Sequence, residues 1–224
     1  MEEDSQPKSW QSTIQEIGTP LINTTFVVLD LETTGGAPHV GAGITEIGAV
    51  KVCGGRVIAE FQSFVNPGHS IPSYITELTG ITDSMVFDAP SMSSVIPSLL
   101  EFLGPESENI FVAQNAPFDL SFLKFALREN GYAWPSYGVV DTATLARRVL
   151  SRDEAPNCKL GTLAQIFGTT TTPNHRALED ARATVDVLHG LIERLGGFGV
   201  YTLEELQSYG KKIKKKFPDQ KSAD

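Results

Sequence analysis

ITEIGAVKVCGGRVIAEFQSFV, residues 44 to 65, holds two β-rich runs, 44 to 52 and 56 to 65, on either side of Gly54-Gly55. Val, Ile, Thr and Phe suit a pleated backbone, and a Gly-Gly pair supplies the positive φ angles of a tight hairpin turn. The stretch therefore predicts two antiparallel strands. Upstream, FVVLDLE (residues 26 to 32) is a third run of strand type, so the chain opens with a three-stranded meander. After Pro67 the pattern changes. A short helix in IPSYITELTGIT ends at Gly80, and a longer one in PSMSSVIPSLLEFLG carries Pro97, which is expected to bend it. There follow a strand at 110 to 114, a helix in NAPFDLSFLKFALRENG up to Gly131, a strand in GVVDT, and helices at about 142 to 150, 159 to 167 and 176 to 195. Strands first, then strands alternating with helices, imply an α/β fold with a mixed sheet covered by helices.

The chain has 224 residues, enough for one large domain with short extensions. Residues 1 to 22 read as a polar leader that packs loosely or not at all, 23 to 197 as the domain, and 198 to 224 as an extension with a basic run at 211 to 216. QSTIQEI, at 11 to 17, reads as linker. A net charge of −9 argues against a protein that coats long duplexes by neutralising phosphates, yet leaves room for a pocket that takes one strand end. No apolar run approaches the roughly 20 residues of a membrane span, and the acidic start MEEDSQPKSWQS lacks the form of a secretory signal. No membrane association and a cytoplasmic location are expected. Cys53 and Cys158 lie outside any C-x-x-C spacing and read as reduced thiols without a role.

In a strand alternate side chains share a face, so Asp30 and Glu32 point the same way with Cα atoms about 6–7 Å apart. Ionised carboxylates at that spacing repel. A shifted pKa, a basic partner or a bound divalent cation relieves them, and a polar strand end at the surface is the simpler alternative. No Lys or Arg is near in sequence. Further on, Asn115 reads as a helix cap and Pro117 as a first-turn residue, which puts Asp119 in the opening turn on the same stripe as Phe122, Leu123 and Ala126. In HRALEDARATVDVLHGLIERLG the stripe Ala177, Ala181, Thr184, Leu188, Leu191, Leu195 includes or borders Asp180. His175 cannot share that face from within the helix and is expected on the loop before it. An unpaired charge on an apolar stripe is expensive. Taken together, the four acids suit one oxygen-rich site for two divalent ions, with the histidine as a base. Asp141 reads as a helix cap, and Asp186 points about 120° away from the inward face.

The order Asp30-x-Glu32, Asp119, His175-x4-Asp180 strongly resembles the DEDDh exonucleases, the DnaQ-like family that includes the proofreading subunit of bacterial DNA polymerase III. FVVLDLETTG, ITEIGAV, the LTGIT turn, NAPFD and HRALEDA occur in order over about residues 25 to 195. The resemblance implies a ribonuclease-H-like fold with a mixed five-stranded sheet, its first three strands antiparallel. It also implies removal of nucleoside monophosphates from 3′ ends of single-stranded or frayed DNA, with RNA as an alternative, in proofreading or repair. Two features depart from the family. Gln114 stands where many relatives have His, and the loop GGAPHVGAG is Gly-rich. Some bacterial relatives continue into a GIY-YIG-type nuclease domain, but no second activity is inferred for this chain.

On this resemblance, Asp30 is expected to bridge two Mg²⁺ or Mn²⁺ ions, Glu32 and Asp180 to complete one of them, and Asp119 to hold the second directly or through water. His175 would take the proton of the attacking water. Thr33, Thr34, Leu78, Asn115 and Phe118 would contact the terminal nucleotide, although Leu78 and Phe118 also suit core packing. The expected partners are single-stranded 3′ ends and a DNA polymerase or repair assembly. Two other readings compete. A haloacid-dehalogenase-type phosphatase also places strand-end acids before Thr, but it wants Asp at position 32 and a later catalytic Lys. A catalytically inactive nucleic-acid-binding or polymerase-docking module is the second, and all five catalytic residue types are present against it.

Overall fold

A computed structural model describes residues 18 to 210; residues 1 to 17, with QSTIQEI, and 211 to 224, with the basic run, lie outside the described residues. The strands are β1 (Thr25–Thr33), β2 (Ile44–Cys53), β3 (Arg56–Phe64), β4 (Asn109–Ala113) and β5 (Gly138–Asp141). The helices are α1 (Ser73–Thr79), α2 (Asp83–Val86), α3 (Met92–Leu103), α4 (Pro117–Glu129), α5 (Thr142–Val149), α6 (Leu160–Phe167), α7 (Ala177–Gly196) and α8 (Leu203–Ser208). They form one mixed sheet in the order β3-β2-β1-β4-β5. The first three strands make the antiparallel meander, and β4 and β5 run parallel to β1. The ribonuclease-H-like five-stranded sheet is thus present.

The packing follows from the position of β1 at the centre. Phe26 and Val28 face α5, α6 and α7, packing with Leu145, Leu163, Ala181 and Leu188. Val27, Leu29 and Leu31 face α3 and α4, packing with Leu99, Phe122 and Leu123. A strand buried on both faces needs apolar residues at every position, which is why FVVL does not alternate. The edge strand β3 exposes Arg56 through Glu60 instead. Charge along such an edge opposes pairing with another chain. Helix α3 continues through Pro97 to Leu103.

Helix α7 crosses the sheet on the first of these faces. A Cβ at Gly48 of β2 would lie 2.2 Å from the carbonyl carbon of Ala177 and the nitrogen of Leu178, so only glycine admits the helix there. At the other end of the molecule, the segment before β1 is seated rather than loose over its described part. The Thr19 amide donates to Glu204 Oε2 (2.9 Å), the Leu21 amide to the Tyr201 carbonyl (2.9 Å) and the Leu203 amide to the Thr19 carbonyl (2.8 Å). Helix α8 starts with a Thr202–Glu205 capping box, which fixes the segment that receives these bonds. Cys53 and Cys158 are free thiols. Among the described residues, no helix is long and apolar enough to cross a membrane.

The parallel strands β1, β4 and β5 end at the same edge of the sheet, at Thr33, Ala113 and Asp141. Loops leaving the carboxyl ends of parallel strands frame a crevice, which is where functional groups gather in such sheets.

Candidate active site

That edge carries a cleft of about 350 Å³ lined by Asp30, Glu32, Asp119, His175 and Asp180, with Thr33, Tyr74, Leu78 and Phe118. Each acid arrives by a different local device. The β1–β2 ladder shifts register between Glu32 and Thr33, so the chain turns away directly after the second carboxylate. The Thr33 hydroxyl donates to the Gly35 carbonyl (2.8 Å) and closes that turn. After β4, Asn115 adopts φ 65°, its amide donates to Asp141 Oδ1 (3.1 Å), and Pro117 starts α4 with Asp119 in the first turn. Asp180 sits in the first turn of α7 and accepts the Asn174 amide (2.9 Å). Between them His175, at φ 59°, is exposed on the loop before the helix, as expected.

The charges are not balanced within the cleft. Burial first, then Asp119, Glu32 and Asp180, push the Asp30 carboxyl well above its usual range. Burial and the neighbouring acids Asp180 and Glu46 push Glu32 up to about 8, against a pull from Arg176. Asp119 is raised by burial despite hydrogen bonding from the Leu31 amide, and Asp180 is raised by burial despite the Asn174 amide and the His175 charge. Four carboxylates, with Glu32, Asp119 and Asp180 buried and Asp30 half-buried, are all shifted upward and fit hard divalent cations, whose charge would reverse the sign of the site. Ligand atoms of Glu32, His175 and Asp180 lie within 4.8 Å of one another.

Of the five residues expected to meet a terminal nucleotide, Thr33, Leu78 and Phe118 line the cleft, whereas Thr34 and Asn115 do not. The Thr34 hydroxyl is occupied by His69 Nε2 and the Gly43 amide, both at 2.9 Å. Asn115 makes no side-chain cap of α4; its contribution is the left-handed turn, which Asn tolerates better than most residues. Asp141 caps its helix, accepting the Ala143 amide (3.0 Å) and the Thr144 hydroxyl (2.7 Å). Asp186 points to the amide and hydroxyl of Thr170 instead, both at 2.7 Å. Gln114 donates to the Cys158 carbonyl (2.7 Å) and ties β4 to the loop before α6.

Two neighbours escaped the sequence reading. Tyr74, 61% exposed, stands one helical turn before Leu78 on α1, and the i, i+4 spacing of two large side chains was the available signal. Glu46 lies opposite Glu32 in the β1–β2 ladder and is fully buried. An acid inside the otherwise apolar run ITEIGAV marked it, but its cation, Arg176, lies 130 positions away.

Residues 27 to 188 match the family model RNase_T, described as exonuclease. The chain is 55% identical over 194 residues to a Mycobacterium tuberculosis protein named as a bifunctional exonuclease/endonuclease, covering 84% of this chain and 30% of that one. It is 40% identical over 183 residues to the PolC-type DNA polymerase III of Caldanaerobacter subterraneus, covering 82% of this chain and 13% of the polymerase. It thus spans less than a third of the length of these relatives. Among solved structures, exonuclease X in complex with 5′-overhanging duplex DNA is similar at a TM-score of 0.59 and 26% identity, over 82% of this chain and 98% of that one. An antiparallel meander leading into parallel strands, an acidic cleft at their ends and a family match across most of the domain agree with the resemblance to the DEDDh exonucleases: the chain belongs to the RNase_T exonuclease family.

Proposed function

We propose that this protein is a two-metal-ion 3′–5′ exonuclease that removes nucleoside monophosphates from single-stranded or frayed DNA ends. The observation that carries the reading is the convergence of four mutually repelling carboxylates and one histidine in a single cleft. Asp30, which feels all three other acids, is the residue that would be shared between the ions, with Glu32 and Asp180 on one side of it and Asp119 on the other. These four residues would hold two Mg²⁺ or Mn²⁺ ions, which when bound would supply neutralisation of charge at the scissile phosphate. His175 accepts the proton of the attacking water on an imidazole nitrogen, and its exposed loop lets it approach as substrate arrives. Leu78 and Phe118 pack on the terminal base without choosing among bases. Thr33 contacts the 3′ end, while Thr34 and Asn115 hold the turns around it.

The name of the polymerase relatives supports work beside a DNA polymerase; a repair assembly and a cytoplasmic location are part of the same proposal. A phosphatase of the haloacid type is not supported, because the acidic strand here pairs antiparallel with its successor and the family match is to exonucleases. The test is digestion of a 5′-labelled single strand with Mg²⁺ or Mn²⁺. The expected product is a ladder shortened from the 3′ end with released 5′-mononucleotides. A labelled strand that keeps its full length after exhaustive incubation would overturn the proposal, and a labelled mononucleotide as first product would reverse the direction.

A further inference from the structure

We infer that Glu46 and Arg176 form a positioning clamp that docks the start of α7 on β2 and thereby sets Asp180 and His175 against Asp30 and Glu32. Its kinetic consequence rests on the exonuclease reading, whereas its effect on metal binding rests on the carboxylate cluster alone.

The clamp is built from both sides. Glu46 is fully buried and accepts four hydrogen bonds: from Gln62 Nε2 (2.8 Å), Arg176 Nε (2.9 Å), the Arg176 terminal nitrogen (2.8 Å) and the Ala177 amide (3.2 Å). The two bonds from Arg176 make a planar fork on the carboxylate, a geometry that fixes orientation as well as distance. The Phe64 ring lies under the guanidinium, 5.3 Å from centroid to carbon, and limits its tilt. Arg176 itself gives α7 no side-chain cap. The Ala177 amide, one of the donors a helix start leaves unsatisfied, is received by Glu46 from across the sheet instead, and a carboxylate is favoured at that pole of the helix.

The register explains why this seat bears on the cleft. Glu46 pairs with Glu32 and Gly48 with Asp30, so the β2 residues opposite the two strand acids are the ones that receive α7. Gly48 clears the space and Glu46 supplies the grip. Arg176 is next in chain to His175, whose φ of 59° lies in the left-handed region, so the backbone turns sharply between the loop and the clamped residue. The Asp180 amide donates to the Arg176 carbonyl (2.9 Å), so Arg176 and Asp180 span the first turn of α7. Displacing Arg176 therefore moves the histidine and the fourth acid together. Lysine cannot replace it, since an ammonium group lacks the fork.

The experiment uses Glu46→Gln, Arg176→Gln, Arg176→Lys and the double Gln variant of the full chain, with Mn²⁺ affinity by calorimetry, cooperative melting, and kcat and KM on a 5′-labelled single strand. Arg176 is partly exposed, so Glu46→Gln leaves a cation that water can solvate, and this variant is informative even where Arg176→Gln melts without cooperativity. Both single Gln changes are expected to weaken Mn²⁺ and to lower kcat by about 10–100-fold, with KM within about twofold. Arg176→Lys is expected to recover only a minor part, and the double variant to be no worse than the worse single one. Folded variants with wild-type Mn²⁺ affinity and kcat, full recovery by lysine, or additive losses in the double variant would each overturn the clamp. Should the wild type leave DNA intact, the exonuclease reading fails, while the Mn²⁺ titrations still decide the clamp.

Discussion

Glu32 and Glu46 face each other across the β1–β2 ladder, both are buried, and they behave in opposite ways. Burial and acidic neighbours drive Glu32 up to about 8. Glu46 is also pushed upward by burial, yet bonds from Arg176, Gln62 and the Ala177 amide bring it below the usual glutamate value. Distance from solvent is therefore not what separates them; the supply of donors is. A buried carboxylate with a full set of donors is architecture, whereas one with few donors beside three other raised acids has the electrostatics expected of a cation ligand.

The contrast breaks most visibly at Asp30. On the proposed two-metal reading, Asp30→Asn removes a ligand and a repulsion at once. Its expected effect is a loss of strand cleavage of about 10³–10⁴-fold, several kcal/mol at about 1.4 kcal/mol per tenfold, with a metal-free melting temperature at or above that of the wild type. A lower melting temperature would mean that the acids are satisfied after all. His175→Ala comes next, with a fall in kcat of about 10²–10³-fold and little change in KM, read from steady-state kinetics at saturating metal. Unchanged turnover would remove the histidine from the reaction.

The third prediction concerns pH. The folded protein holds the Glu32 proton more tightly than the unfolded chain, so the Glu32 contribution to the stability of the metal-free fold is fully present below about pH 4.5 and is lost as pH rises through about 8. Asp30, Asp119 and Asp180 shift in the same direction. Melting in chelator is expected at a temperature several degrees higher at about pH 6 than at about pH 8.5, and saturating Mg²⁺ should narrow that gap. A chelated protein that melts higher at the alkaline end would contradict the repulsion. The smallest effect belongs to Arg182 and Glu60, a bidentate pair between α7 and β3 with bonds of 2.9 and 2.7 Å. It copies the chemistry of Glu46 and Arg176 in a solvent-exposed setting, so Glu60→Gln should cost under about 1 kcal/mol in denaturant melts and leave cleavage unaltered.

Much of this was legible in the chain because the relevant signals are local. The Gly-Gly hairpin, the two-sided apolar run of β1 and the Pro117 start of α4 each depend on a few adjacent residues, and each element formed where its pattern predicted. Asp119 and Asp180 were readable because a charge on an apolar stripe is conspicuous at helical period. Asn115 misled for a local reason too, since a residue that favours caps also favours the left-handed turn it makes here. Arg176 was in plain view beside His175, but nothing near it in sequence named Glu46 as its partner.

The sequence by itself determined the meander, the alternation that follows it and the identity of the acids, since backbone preference and side-chain periodicity act over a few residues. Only the tertiary structure decided which acids are left in mutual repulsion and which one is neutralised. That outcome depends on donors delivered through space from α7 across the opening at Gly48, and electrostatic free energy is set by those distances and by burial.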